Sequence, residues 1–426
     1  MTSRLLSLFL VLAVALAACG NGSTPGSAGS GDATTIQLML FGDAVETAGY
    51  RDLIEAFAAT DPGFAVNLTP VADQDELLAK LSTGFAGGSP PDTFLINYRK
   101  YGQYAAREAL APVQPYLDAS DAIAEGDFAA TSMDAFRFDG TALTCMPQNV
   151  SSLAVYYNAD LFQEAGLATP AAGWTWDEFL TAAKTLTTGD RYGVGVEASL
   201  IRVAPFVWSA GGEIVDDPEQ PTTLTLDKGA ARKGLDFFLD LRLEHGVVPP
   251  EREELSLDSE SRFLQGGLGM FLDSRKAVPT LRTITDFAWD VAPLPVAPGG
   301  DPATILHGDA YCIAQASEHK DQVWQFIEFA MSEEGQTLLA KSGRTVPSRK
   351  DVAQSPAFLE PEQPPASSKV FVDVTPDIRA VPHTGTWSQV EKEADNLLGS
   401  IFFGRVEREP GIRQLIEQTR PLFGER

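Results

Sequence analysis

The fold class follows from three β-prone stretches that alternate with helical patterns: TIQLMLF (residues 35–41), FAVNL (residues 64–68) and TFLI (residues 93–96). Between them, apolar residues recur at helical spacing. Asp73 with Glu76 three residues later has the pattern of a capping box, which opens the second helix. Strands that alternate with helices predict an α/β fold, in which a mostly parallel sheet is covered by helices.

A second region with similar patterns begins near residue 150. The chain has 426 residues, which exceeds the about 250–300 residues at which a single core divides, so we expect two lobes. The predicted elements are a strand at 155–158, a helix capped by Thr175 and Glu178, a helix at 229–244, an extended crossing at 289–298, and a helix through Trp324 and Met331 that is closed by Glu333–Gly335.

The N-terminus carries the pattern of an export signal. Arg4 precedes an apolar stretch, residues 5–15, that is too short for a membrane span. The following LAAC (residues 16–19) resembles the lipobox of bacterial lipoproteins. The resemblance implies that a signal peptide, residues 1–18, is removed and that the thiol of Cys19 is lipidated. The alternative is an ordinary secretory peptide with a chance cysteine.

The composition after this signal indicates a tethered extracytoplasmic protein. Residues 19–33 combine the predicted lipid anchor with a linker of mostly small and polar residues, which is typical of flexible coil. No later stretch has the ~20 apolar residues of a membrane span. The chain has 32 Lys and Arg and 58 Asp and Glu, which gives a formal net charge of −26. Because a negative protein is repelled by phosphates, we expect neither nucleic acid nor an anionic lipid surface as a partner.

The residues carry no pattern of a metal site, a cofactor or a catalytic centre. The four histidines are scattered at positions 245, 307, 319 and 383. Neither H-E-x-x-H nor G-x-S-x-G occurs, and no cysteine and histidine cluster has zinc spacing. We therefore predict no catalytic residues, no metal and no cofactor.

A series of short motifs identifies a family. In order, they are GSPPD (88–92), YYNADLF (156–162), TWDEF (175–179), GG (211–212), FLQGGLGM (263–270), WDVAPLP (289–295) and VPS (346–348). Each motif alone is weak, but in this order the chain resembles extracellular solute-binding proteins of the carbohydrate type, the maltose-binding-protein-like receptors of ABC importers. The resemblance covers nearly all of the chain after the linker.

The resemblance implies a periplasmic-binding-protein-like fold of class II. Two α/β lobes are joined by crossing strands, and the ligand lies in the cleft at the hinge. The implied limits are 34–146 with 311–355 for lobe 1 and 147–310 with 356–426 for lobe 2.

The resemblance also places the two remaining cysteines, Cys145 and Cys312, on neighbouring strands at the hinge. This arrangement would allow a disulfide of ordinary geometry. Two buried free thiols are the alternative.

A sugar-binding cleft needs planar hydrogen-bonding groups for hydroxyls and flat aromatic surfaces for C–H faces. The resemblance implies ligand contacts for a set of loop and strand-end residues. They are Asp43, Glu46, Tyr98, Arg99, Ser151, Trp208, Asp273, Ser274, Arg275, Gly308, Asp309 and Trp387.

Several of these residues also allow a structural interpretation. Asp43 suits a helix cap, Tyr98 and Arg99 a solvated strand end, Ser151 a backbone hydrogen bond and Trp208 the core. Trp387 is expected to stack on the sugar, so that its removal weakens binding while folding is largely kept.

These features predict a lipid-anchored, monomeric receptor on the outer or periplasmic face of the cell membrane. It would capture a carbohydrate and deliver it to the permease subunits of an ABC importer. Arg99–Lys100 and Arg275–Lys276 leave open a receptor for an acidic sugar or a sugar phosphate. A surface glycan hydrolase that pairs two of the acids Asp43, Asp273 and Asp309 is a second alternative. A structural or adhesive lipoprotein is a third.

Overall fold

The structure is a computed structural model that describes residues 34–138 and 140–424. The predicted signal peptide (residues 1–18), the lipidation of Cys19 and the linker (residues 19–33) lie outside the described residues. Within the described part, none of the helices combines the length and the apolar character that crossing a membrane requires.

The described residues contain twelve strands in two six-stranded sheets. The strands are β1 (Thr35–Phe41), β2 (Ala65–Val71), β3 (Thr93–Asn97), β4 (Leu110–Ala111), β5 (Met146–Pro147), β6 (Ser151–Asn158), β7 (Tyr192–Gly195), β8 (Leu268–Ser274), β9 (Trp289–Ala292), β10 (Thr304–His307), β11 (Asp309–Ala314) and β12 (Ile378–Arg379).

Nineteen α-helices surround the sheets in the described residues. They are α1 (Ala44–Ala58), α2 (Gln74–Ala86), α3 (Tyr98–Ala105), α4 (Gln114–Asp118), α5 (Ala130–Asp134), α6 (Ala159–Glu164), α7 (Trp176–Leu186), α8 (Leu200–Ser209), α9 (Gly229–Leu243), α10 (Glu251–Ser256), α11 (Ser259–Leu264), α12 (Val278–Leu281), α13 (Lys320–Ala330), α14 (Glu333–Ala340), α15 (Lys350–Ala353), α16 (Pro356–Leu359), α17 (Val370–Asp373), α18 (Trp387–Phe402) and α19 (Arg408–Thr419).

The first sheet forms the centre of lobe 1, with the strand order β2-β1-β3-β11-β4 and with β5 paired to β11. β1 runs parallel to both β2 and β3, as the alternating pattern predicted. Ile36, Leu38 and Leu40 are fully buried, because alternate residues of a strand face the covering helices. Asp73 caps α2 by accepting a hydrogen bond of 2.9 Å from the backbone N–H of Glu76. These three strands and this helix start are confirmed.

The second sheet forms the centre of lobe 2, with the order β12-β10-β6-β8-β7 and with β9 also paired to β6. β8, β9 and β10 run antiparallel to β6, while β7 is parallel to β8 and β12 to β10. In lobe 1, β11 likewise runs antiparallel to β3 and β4. The two-lobed class is confirmed, but the sheets are mixed and not mostly parallel. The reason is that β6 and β11 enter their sheets from the hinge and run against their neighbours.

Two further expectations need correction. The stretch at 289–298 does not cross between the lobes, because it begins with β9 and continues along lobe 2, where Val296 donates a backbone hydrogen bond to Trp174. The sequence at Glu333–Gly335 opens a helix and does not close one. Ser332 caps it by accepting a hydrogen bond of 3.1 Å from the backbone N–H of Gly335, and α13 has already ended at Ala330.

The chain passes between the two sheets at three places. The first lies between β5 and β6, at residues 148–150, and the second is Gly308 between β10 and β11. The third lies between α16, which packs on α14, and α17, which packs on β6. These three connections between the sheets form a hinge.

Cys145 and Cys312 are joined by a disulfide in lobe 1. Cys145 directly precedes β5, and Met146 pairs with Tyr311 in the antiparallel register of β5 and β11. The two cysteines therefore face each other across the pair, with their Cα atoms 4.5 Å apart. This separation is typical of directly opposed, non-hydrogen-bonded residues.

We expect reduction of this disulfide to lower the melting temperature, because the bridge closes a loop with a sequence separation of 167 residues. The chain-entropy argument gives a stabilisation of about 5 kcal/mol for a loop of this length. Calorimetry of the oxidised protein, the reduced protein and the double variant Cys145→Ser/Cys312→Ser measures the effect. Equal melting temperatures, or two thiols alkylated in the native protein without reductant, would contradict it.

Candidate functional site

The hinge is built around the carboxylate of Asp309, the first residue of β11. Asn97 Nδ2, at the end of β3, lies 3.1 Å from one oxygen, and Asn149 Nδ2, in the first crossing, lies 3.2 Å from the other. Burial raises the pKa of Asp309, while the two amides act in the opposite direction. Next to it, the carbonyl of Gly308 accepts a hydrogen bond of 3.0 Å from the backbone N–H of Tyr98. The carboxylate thus fixes segments that arrive from three parts of the chain.

The lobe 1 side of the site carries two acids and one shared arginine. Asp43 caps α1 by accepting a hydrogen bond from the backbone N–H of Glu46, so its structural interpretation is observed. Arg344 reaches both acids, with its Nη1 2.6 Å from Asp43 and its Nε 2.6 Å from Glu46. Burial nevertheless raises the pKa of Glu46 to about 7, and the negative charge of Asp309 adds to this effect.

An ion-pair cluster joins the two lobes between α3 and α18. Arg99 Nη1 and Lys100 Nζ, both on α3, lie 2.6 and 2.7 Å from the same oxygen of Glu391 on α18. Burial opposes the ionisation of Glu391, but the two cations outweigh it and lower its pKa. Helix α3 also approaches the segment before α18 closely, because a Cβ atom on Gly102 would lie 2.1 Å from the carbonyl oxygen of His383. Any larger residue at position 102 would push α3 away from this segment.

One turn after Glu391 on α18, Asp395 contacts a helix of lobe 2. Its carboxylate accepts a hydrogen bond of 2.7 Å from the backbone N–H of Leu200, the first residue of α8, and so caps that helix from outside. Burial and the neighbouring Glu391 raise the pKa of Asp395 to about 7. α18 therefore holds α3 of lobe 1 with one acid and α8 of lobe 2 with the next.

The lobe 2 side of the site is formed by Arg202, Asp273 and His307. Arg202 Nη2 lies 2.8 Å from Asp273 Oδ1, and its Nη1 lies 3.4 Å from His307 Nε2. Arg202 and Asp273 are buried and His307 is partly buried. Burial, followed by the charge of Arg202, lowers the pKa of His307 well below its usual value. Lys276 Nζ lies 3.5 Å from the other oxygen of Asp273. The acid therefore has two cationic neighbours.

The remaining predicted site residues have internal partners or lie in the core. The Tyr98 hydroxyl accepts a hydrogen bond from the backbone of Val381, and the Ser274 carbonyl accepts one from the Tyr156 hydroxyl. Ser151 begins β6, opposite His307, and its hydroxyl has no hydrogen-bond partner within the described residues. Their contacts with a ligand stay predictions.

Trp208 and Arg275 lie away from a free cleft surface. Trp208 is buried beneath the guanidinium of Arg379, 4.8 Å from its ring centroid. Arg275 is fully buried and donates to the carbonyl of Gly343 and the hydroxyl of Ser368. Burial lowers its pKa to about 10. These two residues tie parts of the fold together, and a ligand role for them also stays a prediction.

Trp387 is the first residue of α18 and has no exposed surface. Its ring packs edge-on against Phe423, with the centroids 6.2 Å apart. Because the side chain fills space inside the protein, we expect its removal to destabilise the fold, in contrast to the expectation from the sequence. Its stacking on a sugar stays a prediction.

Several residues that the structure brings into the site carried no prediction from the sequence: Asn149, Arg202, Arg344, Glu391 and Asp395. Glu391 lies four residues after Trp387 on α18 and therefore on the same face of the helix. Its spacing from Trp387 was thus a signal in the sequence. Arg202 and Arg344 carried no comparable signal, because only the fold brings them to Asp273 and Glu46. Within the described residues, no group of three or more His, Cys, Asp or Glu side chains is arranged to hold a metal ion.

Two lobes with separate sheets, joined by three crossings, define a two-lobed fold. Residues 42–337 match the model of the bacterial extracellular solute-binding protein family. The chain belongs to this family.

Relatives and solved structures agree over most of the chain. A binding protein of Brucella abortus is 26% identical over 395 residues, which cover 89% of this chain and 91% of that protein. The maltooligosaccharide ABC transporter solute-binding lipoprotein of Streptococcus pneumoniae is 23% identical, with 100% and 97% covered. An ABC substrate-binding protein of Listeria monocytogenes in complex with cycloalternan has the same fold, with a TM-score of 0.84 and 22% identity over 93% of this chain and 100% of that one.

We expect Trp387→Ala to lower the free energy of unfolding by about 3–5 kcal/mol, the usual cost of removing a buried tryptophan. Urea denaturation followed by circular dichroism measures it. Leu255→Ala is the control, because Leu255 is 83% exposed and its loss should change stability by no more than ~0.5 kcal/mol. A Trp387→Ala protein as stable as the parent would show that the indole is not part of the core.

We expect Asp395→Asn to stabilise the protein, with a clearly larger gain at pH 8 than at pH 5. The raised pKa of about 7 means that the folded state binds a proton more tightly than the unfolded state. Stability is therefore lost as the pH rises from the unfolded value near 4 through 7. The amide keeps an acceptor for Leu200 without the buried charge, and the gain at pH 8 should be roughly 1–3 kcal/mol. Urea titrations at both pH values, with the exposed Glu417→Gln as control, decide it, and equal pH profiles would refute it.

Proposed function

We propose that the protein is the receptor of an ABC importer for a neutral carbohydrate, which it holds between its two lobes without chemical change. Membership of the solute-binding family and the charged and amide side chains gathered at the hinge support this proposal. The Listeria and Streptococcus proteins, whose names refer to cycloalternan and maltooligosaccharide, point to the same class of ligand.

The observation that favours a neutral ligand is the pairing of the cations around the hinge. Arg99 and Lys100 share Glu391, Arg202 contacts Asp273, and Arg344 contacts Asp43 and Glu46. An acidic sugar or a sugar phosphate would have to displace Glu391, Asp273 or Glu46 and leave that carboxylate buried without its partner, which is costly. Hydroxyl groups can instead add to such pairs, because each charged group keeps further donors or acceptors.

The same contacts favour binding over hydrolysis. A glycoside hydrolase needs two acids at a defined separation, one of them free to give a proton to the leaving group. Asp43 pairs with Arg344, Asp273 with Arg202, and Asp309 with two side-chain amides. We therefore keep the receptor as the proposal and the hydrolase as the alternative for the experiment to exclude.

The location and the partners belong to the same proposal. Removal of a signal peptide before Cys19 and lipidation of its thiol would anchor the protein outside the cytoplasmic membrane, and residues 19–33 would serve as its tether. The lipoprotein among the relatives supports an anchor. A monomer that closes on its sugar would present both lobes to the permease subunits, and closure requires tighter binding to the closed form than to the open one.

We expect a neutral oligosaccharide to raise the melting temperature, while sugar phosphates and uronic acids do not. A ligand at 100 times its Kd stabilises the native state by about 2.7 kcal/mol, so a thermal-shift screen over these classes identifies the ligand. X-ray scattering should then show a smaller radius of gyration with that sugar. Chromatography of the recovered sugar controls for turnover. Cleavage products would favour the hydrolase, and stabilisation by acidic sugars alone would reject the neutral ligand.

A further inference from the structure

Two cations of lobe 1 converge on one carboxylate oxygen of lobe 2. Arg99 and Lys100 are consecutive residues of α3, which packs on β3, and Glu391 belongs to α18, which packs on α8 and α9. Arg99 Nη1 and Lys100 Nζ lie 2.6 and 2.7 Å from Glu391 Oε1. Among the described residues, no other carboxylate forms an ion pair with either cation. The contact therefore carries two positive charges against one negative charge.

Lobe 1 itself sets the direction of the guanidinium of Arg99. Asn97, at the end of β3, accepts hydrogen bonds of 3.2 Å from the backbone N–H of Arg99 and of 3.1 Å from its Nε. Asn97 in turn donates to Asp309 at the hinge. The guanidinium is thus oriented by groups other than Glu391, and a donor that is oriented in advance binds a charged acceptor more tightly than a flexible one.

Glu391 differs from the other carboxylates of the site because it comes from the opposite lobe. Asp273 and Arg202 both belong to lobe 2, and Glu46 and Arg344 both belong to lobe 1. These pairs do not depend on the relative position of the lobes. The two cations of α3 have their carboxylate only while α3 contacts α18. An anion from solution therefore competes here with a group of the other lobe.

The surroundings make the two cations unfavourable without a partner. The side chains of Arg99, Lys100 and Glu391 are only 12, 14 and 4% exposed. Although burial acts against ionisation, the two cations lower the pKa of Glu391, so that it is a carboxylate at neutral pH. Its removal would leave two positive charges at low exposure, and such charges attract an anion.

We propose that Arg99 and Lys100 form a carboxylate-binding site that the protein fills with its own Glu391, and that Glu391 is thereby the residue that excludes acidic ligands. The inference rests on the proposed function, because it names the side chain that makes the receptor select neutral carbohydrates. A sugar acid meets a site that is already occupied, while hydroxyl groups need only the donors that remain on the two cations. Without Glu391, the same site accepts the carboxylate of a sugar acid.

Rescue of Glu391→Ala by a small carboxylate tests the site without any sugar. Alanine suits the helix α18 and removes only the side chain that pairs with the cations. We expect a lower melting temperature than that of the parent, which about 100 mM sodium acetate raises by about 1–3 °C at constant ionic strength. Acetamide, which has nearly the same shape as acetate but no charge, should not raise it.

Glu417→Ala is the matched control, because Glu417 is an exposed residue of α19 and its loss removes the same charge from a helix. The parent and this control should respond to acetate and to acetamide alike. If Glu391→Ala does not fold, Glu391→Gln, which keeps the side-chain volume, takes its place in the comparison of glucose with glucuronate.

A thermal-shift comparison of glucuronate with glucose tests the selectivity. The two sugars share the pyranose ring, and glucuronate carries a carboxylate in place of the hydroxymethyl group. We expect glucuronate to raise the melting temperature of Glu391→Ala by at least about 1 °C more than glucose does, and to leave that of the parent and of Glu417→Ala unchanged.

The inference is overturned if acetate is no better than acetamide with Glu391→Ala. It is equally overturned if glucuronate stabilises the parent as much as the variant, or if glucuronate stabilises neither of them. Stabilisation of the parent by a neutral sugar in the wider screen supports the proposed function independently of these results. If no carbohydrate stabilises the parent, while acetate and glucuronate act on Glu391→Ala alone, the proposed function fails and the carboxylate site stands.

Discussion

The architecture depends on one partly buried carboxylate at the point where the lobes join. Asp309 starts the strand that re-enters lobe 1, and it is held by an amide from the end of β3 and by another from the first crossing. Burying such a group is unfavourable unless its acceptors are satisfied, so the two amides have to stay in place. The first two crossings therefore share a fixed point, because Asn149 and Asp309 are bound to each other there.

Around Asp309, the cationic side chains of the site form ion pairs with carboxylates of the protein itself. The cations of each wall meet carboxylates of the protein, and α18 carries acids that face both lobes on successive turns, Glu391 toward α3 and Asp395 toward α8. A surface arranged in this way recognises hydroxyl groups through direction and number of hydrogen bonds more than through net charge. The strongly negative total charge of the chain, −26, thus says little about the ligand.

The sequence was informative where the signal is local. Alternating patterns gave β1, β2 and β3, and the pairs Asp73–Glu76 and Thr175–Glu178 gave two helix starts with the observed hydrogen bonds. The directions of the strands in lobe 2 could not be predicted from local patterns, because they depend on where the chain passes from one lobe to the other. The stretch at Glu333–Gly335 was misread, since small and acidic residues suit both a helix end and a helix start. Of the site, the positions after β1, β3 and β8 could be anticipated, whereas Arg202 and Arg344 enter it only through tertiary packing.

The disulfide lies a few residues from the first two crossings, so that the segment between Cys145 and Cys312 leaves lobe 1 and returns to it as a closed ring, with a sequence separation of 167. All of β6 to β10 belongs to this ring. A protease that cuts once anywhere within it would produce no separate fragment unless the sulfur bond is also reduced. An exported protein with this topology can thus be nicked in lobe 2 and still remain one covalent molecule.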